Sequence, residues 1–451
     1  MIQPAGRGSD LDPVSATLTP ESAAGIDWHC IVIGAGPAGA AVAIRLARRG
    51  QRVLLVDRSA MPRPKVCGCC LSPLAVAELA ALCPLDGFPT PLPLANVCLV
   101  SAGQSVRMPL PGGGVLSREV LDTALVRQAI AAGADWLPHT LVEAIQESAS
   151  EKPATGTQEG VTIVARAMAA EPQTPVLFHA RVAVIAAGLA DTIRIPSSRL
   201  PSADCSGSIA GSPDRQGAHD RRERHVAPGS RIGVGATFAA AASGHRTAAL
   251  DLPVGELVMA VGRYGYCGLV RLEDGRIDLA AAVDRRLLAD EGSPAAGIVH
   301  LLHEAFGASL LATGMQSVMQ AVPSAIFRAT PPLTHQSSRV SGGNERIFRV
   351  GDAAGYVEPF TGEGMGWALA CGRILAESLL GHSATAAASY RLAHSRLFDA
   401  HHARCRWVAR GVRQQKLVSG AVWLAGLMPW AAGRAVPLLV GAAMPVSHGS
   451  R

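Results

Sequence analysis

The chain is poor in aromatic residues and has no long uninterrupted apolar run. Only 4% of its 451 residues are Phe, Trp or Tyr. Its most apolar stretch, residues 417–444, is interrupted by Pro429 and Arg434, so it falls short of the roughly 20 residues that a spanning helix needs. The stretch fits either C-terminal helices packed on the body or an interfacial contact with a membrane.

Two further absences narrow the class of protein. The N-terminal residues lack the basic start and apolar core of a signal peptide. We therefore expect a disordered leader over residues 1–27 and a cytoplasmic protein whose ten cysteines are reduced. The net charge of +6 arises from 41 basic and 35 acidic residues, and the sequence shows no basic stripe interleaved with aromatics, so nucleic acid is not an expected partner.

A βαβ unit is predicted over residues 28–58, WHCIVIGAGPAGAAVAIRLARRGQRVLLVDR. In its turn, Gly34 permits a tight bend, Gly36 lets a pyrophosphate approach the backbone, and Gly39 lets the helix pack on the strand. Asp57, at the end of the second strand, suits ribose hydroxyls. The predicted dinucleotide-binding residues of this unit are Gly34, Ala35, Gly36, Pro37, Ala38, Gly39 and Asp57.

A second glycine-rich stretch, GDAAGYVEPFTGEGMG, covers residues 351–366. It lies between an apparent strand, residues 347–350, and an apparent helix that starts at Trp367. Five glycines are more than a surface loop needs, so the stretch predicts a backbone that comes very close to a bound molecule.

The two fingerprints, in this order, resemble those of the p-hydroxybenzoate-hydroxylase fold superfamily of FAD-binding flavoproteins, over roughly residues 28–390. The resemblance implies an α/β fold: a Rossmann-type FAD-binding domain, a mixed β-sheet substrate domain and C-terminal helices. Asp352 would hold the ribityl chain or reach the pyrophosphate, and Gly362, Gly364 and Gly366 would bring backbone N–H groups near the flavin. Arg118 would lie along the FAD, with an ordinary helix-surface charge as the alternative. The resemblance adds these FAD-binding residues: Arg58, Lys65, Gly68, Arg118, Gly351, Asp352, Pro359, Gly362, Gly364 and Met365.

Within the superfamily, Lys65-Val-Cys67-Gly68 is similar to the loop that passes beside the flavin in the geranylgeranyl reductase branch. Gly355 stands where aromatic hydroxylases usually carry a histidine, and the paired tryptophans of halogenases are missing. Ala187-Gly188 stands where hydroxylases place an Asp-Gly pair tied to nicotinamide docking. The mode of NAD(P)H docking therefore does not carry over.

The cysteines allow three readings. Cys67 is a flavin-adjacent thiol in the reductase branch, whereas the C-x-x-C spacing of Cys67 and Cys70 also fits a redox dithiol. A zinc site built on His401, His402 and Cys405 would need further ligands, so no metal site is predicted.

The resulting domain prediction assigns residues 28–95, 112–191 and 345–385 to the FAD-binding domain, and residues 96–111 and 231–344 to the substrate domain. A mobile linker or insertion is expected over residues 192–230 and C-terminal helices over residues 386–451. Within the substrate domain, Asp274-Gly275 predicts a hairpin turn.

The predicted function is that of an FAD-dependent oxidoreductase. NAD(P)H would be the electron donor, and a C=C bond of a hydrophobic, isoprenoid or polyketide-like molecule would be reduced. Cys67 and Tyr266 are the candidate catalytic residues, as proton donors to the substrate. An FAD-dependent monooxygenase that hydroxylates an aromatic or polyketide substrate is the alternative, and a protein with purely structural FAD is a third reading.

Overall fold

The computed structural model describes residues 11–83, 87–148, 160–168, 175–195, 225–226, 229–239, 252–308, 315–333, 335–336, 345–358, 360, 362–381 and 385–428. Its strands are β1 (Asp27–Ile33), β2 (Val53–Val56), β3 (Cys70–Leu71), β4 (Leu92–Pro93), β5 (Asn96–Ser101), β6 (Gln104–Pro109), β7 (Gly114–Val115), β8 (Asp135–Leu137), β9 (Thr140–Ser148), β10 (Gly160–Ala167), β11 (Pro175–Ile185), β12 (His225–Val226), β13 (Ile232–Phe238), β14 (Glu256–Gly262), β15 (Gly265–Arg271), β16 (Ile277–Val283), β17 (Arg328–Pro332), β18 (His335–Gln336) and β19 (Ile347–Arg349). Its α-helices are α1 (Pro20–Ala24), α2 (Pro37–Ala47), α3 (Pro73–Leu82), α4 (Arg118–Ala131), α5 (Arg285–Asp290), α6 (Pro294–Phe306), α7 (Gln316–Ala321), α8 (Gly364–Leu380), α9 (Ala386–Val412) and α10 (Gln415–Leu427).

The first sheet has the order β8-β2-β1-β11-β10-β9, with β19 pairing to β11. Strands β8, β2, β1, β11 and β19 are mutually parallel, whereas β9, β10 and β11 form an antiparallel meander. The central strands β1 and β2 are buried almost throughout, because helices cover one face and side chains of β9, β10 and β11 pack on the other, which leaves no face for polar alternation. Their carboxyl ends meet at one edge, where a doubly wound sheet binds its ligand.

The second sheet has the order β17-β13-β16-β15-β14-β5-β6. Strands β15 and β16 form the predicted hairpin, and its turn is closed by the N–H of Gly275, which donates to the carbonyl of Leu272 at 3.0 Å. Strands β5 and β14, which are distant in sequence, pair in parallel. Helix α6 packs on this sheet through Ile298, Leu301 and Leu302, all fully buried. The predicted fold class, a Rossmann-type domain with a mixed-sheet domain and C-terminal helices, is confirmed.

From residue 11 to residue 27 the chain is ordered, which corrects the expectation of a disordered leader for this part of residues 1–27. Val14 is buried, and Thr17 exchanges hydrogen bonds with Asp135 and the backbone of Trp136. Helix α1 follows, and its Ala23 carbonyl accepts a hydrogen bond from the Trp28 indole at 3.0 Å. These polar and apolar anchors tie the segment to the edge of the first sheet.

Helices α9 and α10 end the described part of the chain, and α10 packs against β5 and β6 of the second sheet. None of the helices described here combines the length and apolarity needed to cross a bilayer. The greater part of the predicted linker, residues 196–224, lies outside the described residues, as does the stretch from Pro429 onward.

Candidate functional site

A single cavity of about 610 Å³ runs from the carboxyl edge of the first sheet to the face of the second sheet. Most of the predicted site residues line it: Gly34, Gly36, Pro37, Ala38, Asp57, Arg58, Lys65, Cys67, Gly68, Arg118, Tyr266, Gly351, Asp352, Gly362, Gly364 and Met365. Ala35 and Gly39 belong to the same turn but lie behind the cavity wall. Pro359 lies outside the described residues. The cavity therefore gathers residues from both fingerprints and from the second sheet.

The first turn has the geometry of a dinucleotide-binding turn. Gly34 has φ +110°, and a Cβ there would lie 2.4 Å from the Ala186 carbonyl oxygen. A Cβ on Gly39 would lie 1.9 Å from the Gly34 carbonyl oxygen, so helix α2 and strand β1 require glycine to pack this closely. Gly36 differs, because the nearest atom to its Cβ would be Arg118 Nη2 at 3.8 Å. Protein atoms do not demand a glycine at position 36, and the space in front of it is open to the cavity.

Asp57 is oriented toward this turn by backbone donors. Its Oδ2 accepts the N–H of Ala35 at 2.8 Å, and its Oδ1 accepts the N–H of Ser59 at 2.9 Å. The guanidinium of Arg63 also donates to Oδ1, at 3.2 Å. Arg58, by contrast, is exposed and lines the outer part of the cavity.

A cluster of cations faces the turn. Arg118, at the first position of α4, makes two hydrogen bonds to the buried Asp122 at 2.9 and 2.7 Å. Arg63 lies 3.8 Å from the same carboxylate, and Lys65 lines the same cavity. Burial, together with the neighbouring Arg118 and Arg63, lowers the pKa of Lys65 to about 8. This concentration of positive charge suits a pyrophosphate.

Arg63 was not among the predicted site residues. Its Nε has no hydrogen-bond partner among the described residues although it is buried, and its guanidinium lines the cavity. The only sequence signal was its place in the short basic run Arg63-Pro64-Lys65, which resembles many surface loops. The fold turns that run inward.

The second fingerprint meets the cavity at the end of β19. Gly351 has φ +60°, and Asp352 follows it in a 3₁₀ turn. Burial raises the pKa of Asp352, and the charges of Lys65 and Arg118 oppose that rise. Gly362, Gly364 and Met365 also line the cavity, at the N-terminus of α8.

Gly366 needs to be glycine for a packing reason as well. A Cβ there would lie 2.9 Å from both the Ala75 nitrogen and the Ser72 Oγ. Those atoms belong to the first turn of α3, so Gly366 allows α3 and α8 to pack closely. Gly366 does not line the cavity, and the approach of its backbone N–H to a flavin stays a prediction.

The cysteine loop lies between the two ends of the cavity. Cys67, Gly68 and Cys70 line it, while Cys69 is buried behind them with φ +52°. Hydrogen bonding from the Cys69 thiol, together with the charge of Arg118, lowers the pKa of Cys67 to about 5. All cysteines of the described part of the chain carry free thiols. The lowered pKa makes Cys67 a weaker candidate than an ordinary thiol for donating a proton at neutral pH.

The far end of the cavity is a largely apolar wall formed by the second sheet. Leu257, Met259, Ala280 and Leu333 contribute to it. Such a wall accommodates a hydrophobic molecule.

Tyr266 supplies a polar group within this wall. Its ring meets Phe360 edge-to-face at 4.9 Å, and the Arg231 guanidinium lies 5.6 Å from its centroid. Arg231 pairs with the buried Glu358 at 3.1 Å. Burial, and then the charge of Glu358, raises the pKa of Tyr266 well above its usual value. The phenol thus keeps its proton across the physiological range.

Tyr356 is a second phenol on the cavity that sequence reasoning missed. It follows Gly355 in the second fingerprint, and burial raises its pKa as well. An aromatic residue inside a glycine-rich loop was the available signal.

The cluster Glu363, His401 and Cys405 brings three potential metal-ligand atoms within 4.8 Å of one another. However, Arg404 donates to Glu363 at 3.0 Å and lies 3.3 Å from His401 Nδ1. The guanidinium of Arg404 therefore already neutralises the Glu363 carboxylate. The arrangement is that of a hydrogen-bonded contact between the start of α8 and the middle of α9.

Comparisons of the sequence with known proteins identify one matching domain model and several relatives. The model of an NAD(P)-binding Rossmann-like domain matches residues 32–76. A menaquinone reductase of Mycolicibacterium smegmatis is 27% identical over 84% of this chain and 82% of its own length. A menaquinone reductase of Mycobacterium tuberculosis is likewise 27% identical, over 77% of this chain and 76% of its own.

Solved structures share the fold at low sequence identity. A probable FAD-dependent monooxygenase from Pseudomonas aeruginosa, PqsL, is 17% identical and has a TM-score of 0.59, over 88% of this chain and all of its own. The flavin-dependent brominase Bmp2 is 16% identical and has a TM-score of 0.61, over 93% of this chain and 94% of its own. The chain thus has the fold of flavin-dependent oxidoreductases. The sequence-based prediction of a flavoprotein oxidoreductase agrees with these similarities.

Proposed function

We propose that the protein is an FAD-dependent oxidoreductase that reduces a C=C bond of a hydrophobic isoprenoid substrate. The observation that carries this proposal is the single cavity that joins both fingerprints of the first domain to the apolar wall of the second sheet. A dinucleotide bound at one end of the cavity and a hydrophobic molecule bound at the other would meet at the loop that contains Cys67, Gly68 and Cys70. The similarity to menaquinone reductases supports the choice of an isoprenoid.

The cavity fits FAD by the chemistry of its lining. Open space at Gly36 leaves room for a pyrophosphate, and Arg63, Lys65 and Arg118 supply compensating charge. Asp57 would bind ribose hydroxyls, and Asp352 would hold the ribityl chain. When bound there, FAD supplies hydride transfer, which no side chain of the protein can perform.

The residues near the apolar wall would hold the substrate and supply a proton. Reduction of an alkene requires a proton on the carbon next to the one that receives the hydride. Tyr266 is the acid that the geometry favours, because its phenol keeps its proton and lines the cavity. Cys67 is disfavoured in that role because its lowered pKa favours the thiolate over the thiol. Its thiolate, beside Arg118, would instead set the charge around the reacting centre.

The geranylgeranyl reductase-like branch and NAD(P)H as donor belong to this same proposal. Lys65, Cys67 and Gly68 line the cavity as that branch would require. The match to an NAD(P)-binding Rossmann-like domain covers residues 32–76, the unit assigned here to FAD, so NAD(P)H as the donor rests on the resemblance to flavoproteins. Ala187-Gly188 replaces the Asp-Gly pair that hydroxylases use near the nicotinamide, and the next acid along the chain is Asp191. Its carboxylate oxygens lie 3.5 Å from Arg349 Nε and accept the N–H of Ile193, so they already have protein partners.

A monooxygenase is the second candidate, favoured by the shared fold with the Pseudomonas aeruginosa protein. The experiment that separates the two is product analysis by mass spectrometry. FAD-loaded protein and NADPH are incubated with a menaquinone that carries a short isoprenoid tail, and the product is then exposed to air. Alkene reduction leaves a permanent gain of two hydrogen atoms in the tail. A gain of one oxygen atom would make it a hydroxylase, and a gain of hydrogen that air reverses would place the reduction on the quinone ring.

A further inference from the structure

Exposed apolar side chains gather at the end of the described chain. We define the α10 surface by Leu417, Trp423, Leu424, Leu427 and Met428 of α10 and its C-terminal end, together with Trp407 near the end of α9. Trp407 is 74% exposed and Trp423 is 57% exposed, although large aromatics usually bury most of their area. Single exposed apolar residues are ordinary, but a contiguous group marks an interaction site.

The helical geometry explains why this face stays uncovered. Val418 and Val422, one turn apart, point toward the second sheet, and Val422 is fully buried. Leu417, Leu424 and Leu427 project from the opposite side of α10. The helix is thus apolar on both faces, so packing against β5 and β6 accounts for only one of them.

The charged residues along this part of the chain are all basic. No Asp or Glu occurs from residue 400 to residue 451, whereas the same stretch carries several Arg and one Lys. Arg410 and Lys416 are exposed beside Trp407 and Leu417. An apolar strip flanked by basic residues and tryptophan is the composition that binds a bilayer interface with anionic headgroups.

The α10 surface adjoins the apolar end of the cavity. Val408 and Val412 of α9 and Val418 of α10 pack in one cluster with Tyr266 and Met259, which line the cavity. A molecule that leaves a bilayer beneath α10 would therefore reach the cavity wall over a short distance.

We propose that the α10 surface docks the protein on an anionic lipid bilayer and places the apolar end of the cavity over it. The purpose of such docking rests on the proposed function, because a long isoprenoid resides in the membrane. Binding to lipid itself is independent of catalysis and is measured without substrate.

The test is flotation of the full-length, FAD-loaded protein with vesicles of phosphatidylcholine alone or with phosphatidylglycerol added. The wild type is expected to float with the anionic vesicles and to be released by high salt. Trp423→Gln combined with Leu427→Gln is expected to lower the partition coefficient by about tenfold or more. The matched control is Ile326→Gln, which replaces a 76% exposed side chain elsewhere and should leave flotation unchanged.

Two results would overturn the proposal. One is a wild type that does not float with either vesicle; the other is a double variant that floats as well as the wild type. Analytical ultracentrifugation identifies the competing occupant, since a wild-type dimer that the double variant abolishes would make the surface an interface between two copies. The double variant is also assayed on a short-tailed substrate in detergent. Activity kept there while flotation is lost separates failed docking from a failed assignment of function.

Discussion

The substitution Gly36→Ala separates what the fold needs from what the bound dinucleotide needs. Gly36 has φ −80° and ψ −178°, which alanine adopts freely and which suits a residue before proline. An added Cβ would meet no protein atom closer than Arg118 Nη2 at 3.8 Å. We therefore expect the free energy of unfolding of the FAD-free protein to change by less than about 0.5 kcal/mol.

Binding of FAD should respond differently, because the methyl group would occupy the space where a pyrophosphate approaches the backbone. Loss of one hydrogen bond to a charged group costs about 1.5–3 kcal/mol. At about 1.4 kcal/mol per decade, the dissociation constant for FAD should rise by roughly ten- to a hundredfold. The assay is titration of the FAD-free protein, followed by the change in flavin fluorescence.

Two comparison variants make the result interpretable. Gly25→Ala places a methyl group 3.7 Å from the nearest atom, on a turn far from the cavity, and should alter neither stability nor FAD affinity. Gly39→Ala forces a contact of 1.9 Å with a backbone oxygen and should destabilise the fold itself. If Gly36→Ala binds FAD as the wild type does, the assignment of the turn to the pyrophosphate is refuted.

Three other predictions concern the remaining cavity residues. Tyr266→Phe should lower kcat by roughly a hundredfold or more if the phenol is the acid. The control Tyr264→Phe, outside the cavity, should leave kcat unchanged. If Tyr266→Phe turns over as fast as the wild type, Tyr266 is not the proton donor. Because the pKa of Cys67 is lowered to about 5, the rate of its alkylation in FAD-free protein should hardly change between pH 6 and pH 8. A tenfold rise in rate per pH unit would show that Cys67 is an ordinary thiol. Buried Cys267 is the unreactive control. Arg118→Ala leaves a buried carboxylate with only a distant partner and should lower the free energy of unfolding in urea by about 3 kcal/mol; a change below about 0.5 kcal/mol would contradict the importance of this pair.

The parts of the site that could be predicted are those set by local sequence. Within the turn from Gly34 to Gly39, the φ of +110° at Gly34 and the close approach of Gly39 to the Gly34 carbonyl oxygen are local features, so the pattern indicates this part of the geometry. The hairpin at Asp274-Gly275 is local in the same sense.

The parts that could not be predicted depend on contacts between distant segments. Arg231, just before β13, and Glu358, in the second fingerprint, form their ion pair near Tyr266 although they are 127 residues apart in sequence. Arg63 faces inward because its guanidinium forms ion pairs with Asp57 and Asp122. Neither arrangement leaves a periodic or spaced pattern in the sequence.

The measurement that tests the central claim most directly is an anaerobic half-reaction. The FAD-loaded protein is reduced without oxygen, freed of excess donor, and mixed with a short-tailed isoprenoid quinone while the flavin absorbance is followed. The account predicts that the oxidised flavin bands return without oxygen and that the product retains two added hydrogen atoms in its tail. Flavin that stays reduced until air is admitted, with oxygen then entering the product, would contradict it.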